Sequence, residues 1–312
     1  METAKPQGIT APQVCDLCDC ASHQVFRTRG RGDSHLATVI CQNCGLVYSN
    51  PRPSEEENAD FYHHRYWDAY KGKNEADDSF FNRRLPKIKS MLQEVTPLLK
   101  PGVKLLEIGC GVGALLWSIK NTCNGLGEFV GVEPHSGHAR FAREQKELNV
   151  HNGLLEEVYG KLAKSEFDVI IMNHVLEHTI SPTGTFAKLK ELLKPNGTLV
   201  IEVPNVEAPG SRLSHYFHIA HHFAFSPKTL QRLGTKGGFR IVKIEALDGD
   251  LPGTRLLGVF QKVKSLKPDL PLKFIRDDPD ARADALEQYE RWYWTTLASL
   301  RKKITHWKRQ RN

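Results

Sequence analysis

Short apolar runs alternate with amphipathic stretches through the middle of the chain. The apolar runs at 103–108, 129–132, 167–172 and 198–203 have the length of buried strands. Amphipathic stretches, among them 114–120 and 185–193, separate these runs and predict helices. Such alternation is typical of a parallel sheet covered by helices. Two final runs, 239–247 and 255–263, follow one another across a Gly- and Pro-containing turn and predict a closing antiparallel pair.

A glycine-rich turn follows the first predicted strand. Glycines at 109, 111 and 113 come directly after the strand and before a helix. Because no Cβ blocks its approach, a ligand can contact the backbone there. The second strand ends on Glu133, at a distance along the chain that suits a carboxylate bonded to ribose hydroxyls. The two signals together predict a nucleoside site at the carboxyl ends of these strands.

An acid before the glycines distinguishes this turn from a dinucleotide-binding loop. Glu107 precedes Gly109 by two residues, where a carboxylate would repel a pyrophosphate and would suit a cationic ligand. The pattern Glu-x-Gly-x-Gly-x-Gly that begins at Glu107 resembles the first motif of the class I S-adenosylmethionine-dependent methyltransferases, and the resemblance runs from about 101 to 264. It implies an α/β, Rossmann-like fold with a mostly parallel seven-stranded sheet and helices on both faces.

The resemblance also implies which residues contact the cofactor, S-adenosylmethionine. The glycine turn would hold the methionine part, Glu133 the ribose, and apolar Leu154 the base. His174 would be a contact on the cofactor side. The expected cofactor-binding residues are Glu107, Gly109, Cys110, Gly111, Gly113, Glu133, Pro134, Leu154, Asn173 and His174.

Two Cys-x-x-Cys pairs stand near the start of the chain. The predicted metal ligands are Cys15, Cys18, Cys41 and Cys44. Two residues between cysteines let one turn present both thiolates to a tetrahedral ion, and Gly45 permits the tight turn. We expect a structural Zn²⁺ that folds this segment, with metal-free thiols or a redox pair as alternatives. Cys20 lies outside the paired spacing.

Length and composition set the domain organisation. The 312 residues suffice for one α/β domain with additions at both ends. We expect a zinc-ribbon segment at 1–53, a helical lid or linker at 54–100, the methyltransferase domain at 101–264 and a basic helical extension at 265–312. The net charge of +7 favours an anionic substrate or surface, with simple solubility as the alternative. With no predicted signal peptide or membrane span, we expect a cytoplasmic protein with reduced cysteines.

Helices are predicted in both flanking segments. Ser54 and Glu57 have the spacing of a capping box, and the aromatic stretch 61–67 that follows is either a packed helix or a lid over the cofactor. The stretch 281–310 is aromatic and basic. It predicts a helix that is docked or solvated, with binding to an anionic surface as the alternative.

The acceptor site is expected beside the carboxyl end of the predicted strand at 167–172, the fourth strand of the domain. His174 and His178 stand four residues apart there, which places them one helical turn from each other. His178 matches the histidine of a Leu-Glu-His motif seen in this branch of the family, including ubiquinone-type O-methyltransferases. We expect His178 to be a general base or an acceptor contact, with a structural histidine as the alternative.

A histidine-rich stretch at 214–223 is the second candidate acceptor region. Tyr216 and His222 are predicted to contact the acceptor there. A solvated connector and a metal-binding face of histidines are the alternatives. That face would consist of His215, His218 and His222.

The cysteine-rich ribbon, the sequence Gly-Leu-Val-Tyr-Ser-Asn-Pro-Arg-Pro at 45–53 and the methyltransferase core together resemble bacterial small-molecule methyltransferases of cell-surface sugar and secondary-metabolite pathways. This resemblance implies an enzyme that methylates a small molecule. We expect O-methylation of a sugar or nucleotide-linked sugar, with C-methylation second. The first alternative is an RNA methyltransferase whose ribbon, with Arg27, Arg29 and Arg31, grips nucleic acid. The second is a binding module that keeps the cofactor pocket without catalysis.

Overall fold

The computed structural model describes residues 13–31, 34–66, 76–249, 251–264 and 278–309, and the side chains of the last helix as far as Trp294. The strands are β1 (His23–Arg29), β2 (His35–Cys41), β3 (Val47–Ser49), β4 (Val103–Ile108), β5 (Gly127–Glu133), β6 (Asn149–Asn152), β7 (Phe167–Asn173), β8 (Leu193–Pro204), β9 (Phe223–Ala224), β10 (Phe239–Leu247) and β11 (Arg255–Lys262).

Helices connect these strands. The α-helices are α1 (Glu55–Asp60), α2 (Asp78–Arg84), α3 (Lys89–Val95), α4 (Ala114–Thr122), α5 (Ser136–Lys146), α6 (Leu155–Val158), α7 (Pro182–Leu192), α8 (Leu213–Tyr216), α9 (Pro227–Lys236) and α10 (Pro279–Arg309). A π-helical turn spans Phe61–Arg65. Short 3-10 turns span Leu85–Ile88, Thr96–Leu98, Tyr159–Lys161 and Leu176–His178.

The main sheet has seven strands in the order β10-β11-β8-β7-β4-β5-β6. Only β11 runs against its neighbours, so the sheet is mostly parallel, as the sequence predicts. The sheet is covered by helices, and its strands are buried along most of their length: Leu105 and Leu106 of β4, on opposite faces, have no exposed surface. Burial on both faces explains why these strands read as continuous apolar runs.

The chain changes direction across the sheet at β4. From β4 it continues to β5 and β6 on one side, and it then crosses back to β7 and β8 on the other. In-register parallel pairing brings the carboxyl ends of these strands to one edge, with Ile108 opposite both Val132 and Met172. A crevice therefore opens between the ends of β4 and β7, which is where open α/β sheets bind ligands.

Two boundaries differ from the predictions by three residues or more. The helix expected at 185–193 begins at Pro182, because Ser181 caps it through a bond from Gly184 N. Strand β8 begins at Leu193 rather than at 198, because Leu193 already pairs with Phe167. The residues at 194–197, which the sequence indicates as a turn, therefore lie within the strand, and Asn196 has a φ of 65°.

A second sheet joins the cysteine-rich segment to the main domain. Its order is β1-β2-β3-β9, all antiparallel, and β9 comes from the histidine-rich stretch. Val47 pairs with Ala224 and Tyr48 with Phe223. The predicted ribbon segment thus shares a sheet with residues far along the chain. The domain boundaries given above stay a prediction.

The flanking helices form largely as expected. Ser54 and Glu57 make both bonds of the capping box at the start of α1. Helix α10 docks through Ala283 and Leu286, and an ion pair of 2.7 Å joins Arg282 to Glu207. Among the described residues, none of the helices has the length and apolar character that crossing a membrane requires.

Candidate active site

Three left-handed glycines shape the turn after β4. Gly109, Gly111 and Gly113 have φ values of 72°, 57° and 78°, which side chains disfavour. Gly111 N donates to Glu133 Oε2 at 2.8 Å, and His135 N donates to Glu133 Oε1 at 2.9 Å. The carboxylate at the end of β5 is therefore fixed by two backbone amides and keeps lone pairs for a ligand.

Two buried carboxyls face this turn. Burial raises the pKa of Glu107 to about 8 and that of Glu133 to about 7. Among the described residues, Glu107 Oε2 has no hydrogen-bond partner. A buried acceptor without a donor costs free energy unless a ligand supplies one. The residues therefore fit the ammonium and the ribose hydroxyls of S-adenosylmethionine.

A cavity of about 960 Å³ opens at this edge of the sheet. Ten of the predicted site residues line it, namely Glu107, Gly109, Cys110, Gly111, Glu133, Pro134, Leu154, Asn173, His174 and His178. Gly113 is not among the lining residues. A Cβ on Gly113 would lie 2.4 Å from Leu148 Cδ1, so its small size serves the packing of α4.

Aromatic side chains also line the cavity. Tyr62 and Tyr66 come from the π-helical turn and its end, and both line the cavity. Their rings meet His178 edge-on at centroid distances of 6.0 and 6.1 Å. The aromatic stretch thus roofs the cavity. Trp67, at its end, lies outside the described residues.

One ring nitrogen of His178 is committed to the backbone. His178 Nδ1 lies 2.7 Å from Ala220 O. Because a carbonyl oxygen can only accept, Nδ1 is the donor. The other nitrogen, Nε2, lies 3.7 Å from Glu177 Oε1 beside the cavity and in the neutral ring carries a lone pair.

His174 has a different character from His178. It adopts a φ of 55°, and the turn that follows is 3-10, so the two histidines are not one α-helical turn apart. Its ring lies 3.4 Å from Glu177 and 3.3 Å from Glu202. Burial lowers the pKa of His174, but the two carboxylates outweigh it and raise the pKa to about 9. His174 is therefore a cation near neutral pH.

Tyr216 and His222, predicted to contact the acceptor, lie behind the cavity wall. Neither is a lining residue, and they are 6% and 1% exposed. Burial, together with the charges of His178 and Arg52, lowers the pKa of His222 to about 3, and His222 Nε2 bonds Asn58 Oδ1 at 3.0 Å. Burial raises the pKa of Tyr216 well above its usual range. Both positions fit packing rather than contact with an acceptor.

The group that the structure brings together contains the predicted His178 but differs from the metal-binding face given as an alternative. Among the described residues, Glu177, His178 and His221 bring ligand atoms within 4.8 Å of one another, rather than His215, His218 and His222. Sequence reasoning gave no individual role to Glu177, His221, Tyr62 or Tyr66, although Tyr62 and Tyr66 lie in the predicted helix or lid at 61–67 and His221 lies in the candidate acceptor stretch 214–223. The Leu-Glu-His motif contains Glu177, so its position could have been found. His221 has no signal that distinguishes it from His222.

The four predicted cysteine ligands form one cluster. Cys15 Sγ lies 3.5 Å from Cys44 Sγ, and Cys18 Sγ lies 3.4 Å from Cys41 Sγ. All four sulfurs lie within 4.8 Å of one another. Cys20 is not in the cluster, and its thiol faces Ser22 O. Four thiolates so close require a cation, and the arrangement fits tetrahedral Zn²⁺ with no open position.

Comparisons with known proteins agree with this geometry. The family model described as a methyltransferase domain matches residues 80–244. A ubiquinone biosynthesis O-methyltransferase of Schizosaccharomyces pombe is 38% identical over 106 residues, covering 32% of this chain and 37% of that relative. A tRNA U34 carboxymethyltransferase of Pseudoalteromonas translucida is 32% identical over 120 residues, covering 38% and 36%. The chain thus spans well under half the length of these curated relatives.

A solved structure agrees with the fold. It is a chain in the complex of the Haloferax volcanii Trm112 methyltransferase activator with a methyltransferase, at a TM-score of 0.50 and 17% identity, covering 60% of this chain and 95% of that one. This likeness concerns the fold alone. The family match covers more than half of the chain, and the glycine turn, Glu133 and the seven-stranded sheet lie within or beside it. The chain therefore belongs to the methyltransferase domain family, as an S-adenosylmethionine-dependent class I member.

Proposed function

We propose that this methyltransferase transfers the methyl group of S-adenosylmethionine to a hydroxyl of a small molecule, with nucleotide-linked sugars as the first class of acceptor. C-methylation of the same class is second. The cofactor supplies an electrophilic methyl group on a sulfonium. The chain's own residues bind and orient both reactants, exclude water and receive the acceptor's proton.

The observation that carries the proposal is the orientation of His178. Its Nδ1 donates to Ala220 O, so in the neutral ring Nε2 carries the lone pair, 3.7 Å from Glu177 Oε1 and at the cavity that Glu107 and Glu133 also line. A neutral imidazole placed in this way can take a proton from a hydroxyl. Tyr62 and Tyr66 close the space above the ring and limit access of water.

Positive side chains at the cavity favour an acceptor that carries negative charge. Arg31 and Arg83 line the cavity, and so does Lys188, which lies 3.5 Å from Glu156; carboxyls, among them Glu107, Glu133 and Glu157, line it as well. A phosphate on a nucleotide-linked acceptor would meet complementary charge there. The chain's net charge of +7 agrees in sign.

The part of the cavity around the glycine turn, Glu107 and Glu133 is here called the cofactor half. Its predicted role is tested by replacing Glu133 with Gln. We expect S-adenosylhomocysteine to bind at least about tenfold more weakly, because the variant loses the charge that accepts both backbone bonds and ribose hydroxyls. Calorimetric titration measures the affinity. Glu128→Gln, a half-exposed acid on the same strand, should bind like the natural protein. Equal affinity of the Glu133 variant would contradict the assignment.

The acceptor half is tested by a methyl-transfer assay over a panel of nucleotide-linked sugars. With the acceptor that reacts, His178→Gln should lower kcat by about 10²- to 10⁴-fold and leave the affinity for S-adenosylhomocysteine unchanged. An unchanged kcat would remove His178 as the base.

RNA methylation is the second candidate. A tRNA N(3)-methylcytidine methyltransferase of Schizosaccharomyces pombe is 38% identical to this chain over 91 residues. Against this candidate, Arg27 of the ribbon segment is paired with Glu290 at 2.5 Å. A strongly salt-dependent affinity for tRNA, together with methyl transfer to it, would favour RNA over a small molecule.

A further inference from the structure

His222 is a junction between three segments of the chain. Its backbone O accepts from Ser49 N of β3 at 2.9 Å, and its backbone N donates to Glu177 O at 2.8 Å. Its ring Nε2 bonds Asn58 Oδ1 of α1 at 3.0 Å. The cysteine-rich segment, the helix that leads into the roof, and the turn that carries His178 therefore meet at one buried residue.

The cysteine-rich segment also holds the cavity wall from a second direction. Asp16, between two cysteine ligands, accepts from Ser181 Oγ at 2.6 Å and from Thr183 N at 2.9 Å. Ser181 lines the cavity and caps α7. The turn 176–179 thus lies between two tethers to the segment that carries the tetrathiolate cluster.

The cysteine cluster and the hydrogen bond from Ser49 to His222 are close to each other along the chain. Strand β3 begins three residues after Cys44, and its Tyr48 stacks on Phe223 of β9 at 6.3 Å between ring centroids. The guanidinium of Arg52 lies over both rings, at 5.2 and 5.0 Å. Because a bound ion folds such a segment and its absence releases it, we expect the position of β3 to depend on metal.

By contrast, the cofactor half has its own support. Glu107, Gly111 and Glu133 are held by the register of β4 and β5 and by backbone amides within the main sheet. Neither strand belongs to the sheet that contains β3, and the described contacts between the two regions are apolar ones, such as those of Leu106 and Val132 in the core cluster that they share with the cysteine-rich segment. Loss of order in the cysteine-rich segment should therefore spare the binding of the cofactor.

We propose that His222 is a positioning residue through which the tetrathiolate segment sets the acceptor half of the cavity. Zinc binding at one end of the molecule thereby orders the turn of His178 and the base of the tyrosine roof, while the cofactor half stays formed without it. The effect on methyl transfer rests on the proposed function. The coupling itself does not, because it can be measured without an acceptor.

The test is amide hydrogen exchange on the full chain, first with zinc bound and then after a chelator has removed it. The affinity for S-adenosylhomocysteine, measured on the same two samples, reports on the cofactor half. Without zinc, we expect amides at 55–60 and 176–179 to exchange about tenfold faster or more, while those of β4 and α4 are unchanged. The affinity for S-adenosylhomocysteine should stay within about threefold.

Variants separate the side chain from general loss of structure. His222→Leu should speed exchange at 55–60 with one zinc still bound per chain, and His222→Gln, which keeps an amide donor, should restore protection. His215→Leu, an exposed histidine of the same stretch, is the matched control and should change nothing. If His222→Leu does not fold, Asp16→Asn should speed exchange at 176–179.

Two results would overturn the proposal. One is unchanged exchange at 55–60 and 176–179 after zinc removal. The other is loss of S-adenosylhomocysteine binding in parallel with loss of protection, which would mean that zinc holds the whole molecule rather than one half. Failure of the proposed methyl transfer would leave both measurements interpretable, since neither uses an acceptor.

Discussion

At the scale of residues, the two carboxyls of the cofactor half make stability depend on pH. A carboxyl whose pKa is raised by burial binds its proton more tightly in the folded state. Folding therefore loses stability as pH rises from the usual carboxyl range, near 4.5, through about 8 for Glu107 and about 7 for Glu133. A bound cation at Glu107 would reverse this loss.

We expect Glu107→Gln to remove part of this dependence. Without cofactor, the variant should be more stable than the natural protein at pH 8 by on the order of 1–3 kcal/mol, and nearly equal to it at pH 5. Urea unfolding at the two pH values measures the difference. Glu166→Gln, at a half-exposed acid, is the control, and an identical pH dependence of the Glu107 variant and the natural protein would contradict the prediction.

Two glycines with positive φ allow the stability cost of adding a side chain to be separated from the loss of contact with the ligand. Gly102 and Gly111 both have positive φ, and a Cβ on either would meet nothing within 4 Å. Replacing either with Ala should cost about 1–2 kcal/mol of unfolding free energy. Only Gly111 lines the cavity, so only Gly111→Ala should weaken S-adenosylhomocysteine binding, by about tenfold or more. Equal affinity in the two variants would show that the turn does not contact the cofactor.

The residues of the cofactor half were predictable because they are local in sequence. The glycine turn and Glu133 end two adjacent strands, and parallel register alone brings them together. The acceptor half was not predictable in this way. Whether His221 or His222 faces the cavity depends on the bonds that His222 makes to Ser49 and Glu177, which come from distant parts of the chain.

At the scale of elements, the contact between His63 and Glu157 joins the roof to the cavity wall beside Leu154. His63 Nε2, in the π-helical turn, lies 2.9 Å from Glu157 Oε1, and Glu157 also accepts from Leu154 N at 2.6 Å. Both side chains are partly exposed, so the pair contributes less than about 1 kcal/mol.

His63→Ala should therefore speed dissociation of S-adenosylhomocysteine about two- to fivefold, because the roof opens more often. Stopped-flow displacement measures the rate. His64→Ala changes the adjacent exposed histidine and should leave it unchanged. Equal effects of the two variants would mean that the pair does not fasten the roof.

The main strands were predictable because burial on both faces leaves an uninterrupted apolar run. Strand β9 was not, since it has two residues and its partner is β3. The early start of β8 likewise follows from the pairing of Leu193 with Phe167. The composition of residues 194–197 indicates a turn instead.

At the scale of the whole molecule, α10 supports the histidine-rich stretch from outside. Leu286 is 2% exposed and packs in the same cluster as Leu213, Tyr216 and Phe217. The sequence predicted the helix, and the structure shows that its first half is docked. The aromatic Trp292, further along, is 52% exposed.

Leu286→Ala should lower the free energy of unfolding by about 2–4 kcal/mol, because it leaves a cavity in this cluster. Trp292→Ala should change it by no more than about 0.5 kcal/mol. Urea unfolding measures both. A small effect at Leu286 would indicate that the helix is not docked in solution.

The pairing of β3 with β9 has a consequence for the order in which the protein is made. The ribosome releases β1, β2 and β3 long before residues 223–224 exist, and the cysteines can take up zinc at that stage. Until β9 arrives, the outer edge of β3 presents unpaired backbone groups, which are a template for strands of other chains. The edge of β3 therefore stays open in the nascent chain until Phe223 and Ala224 are made and pair with it.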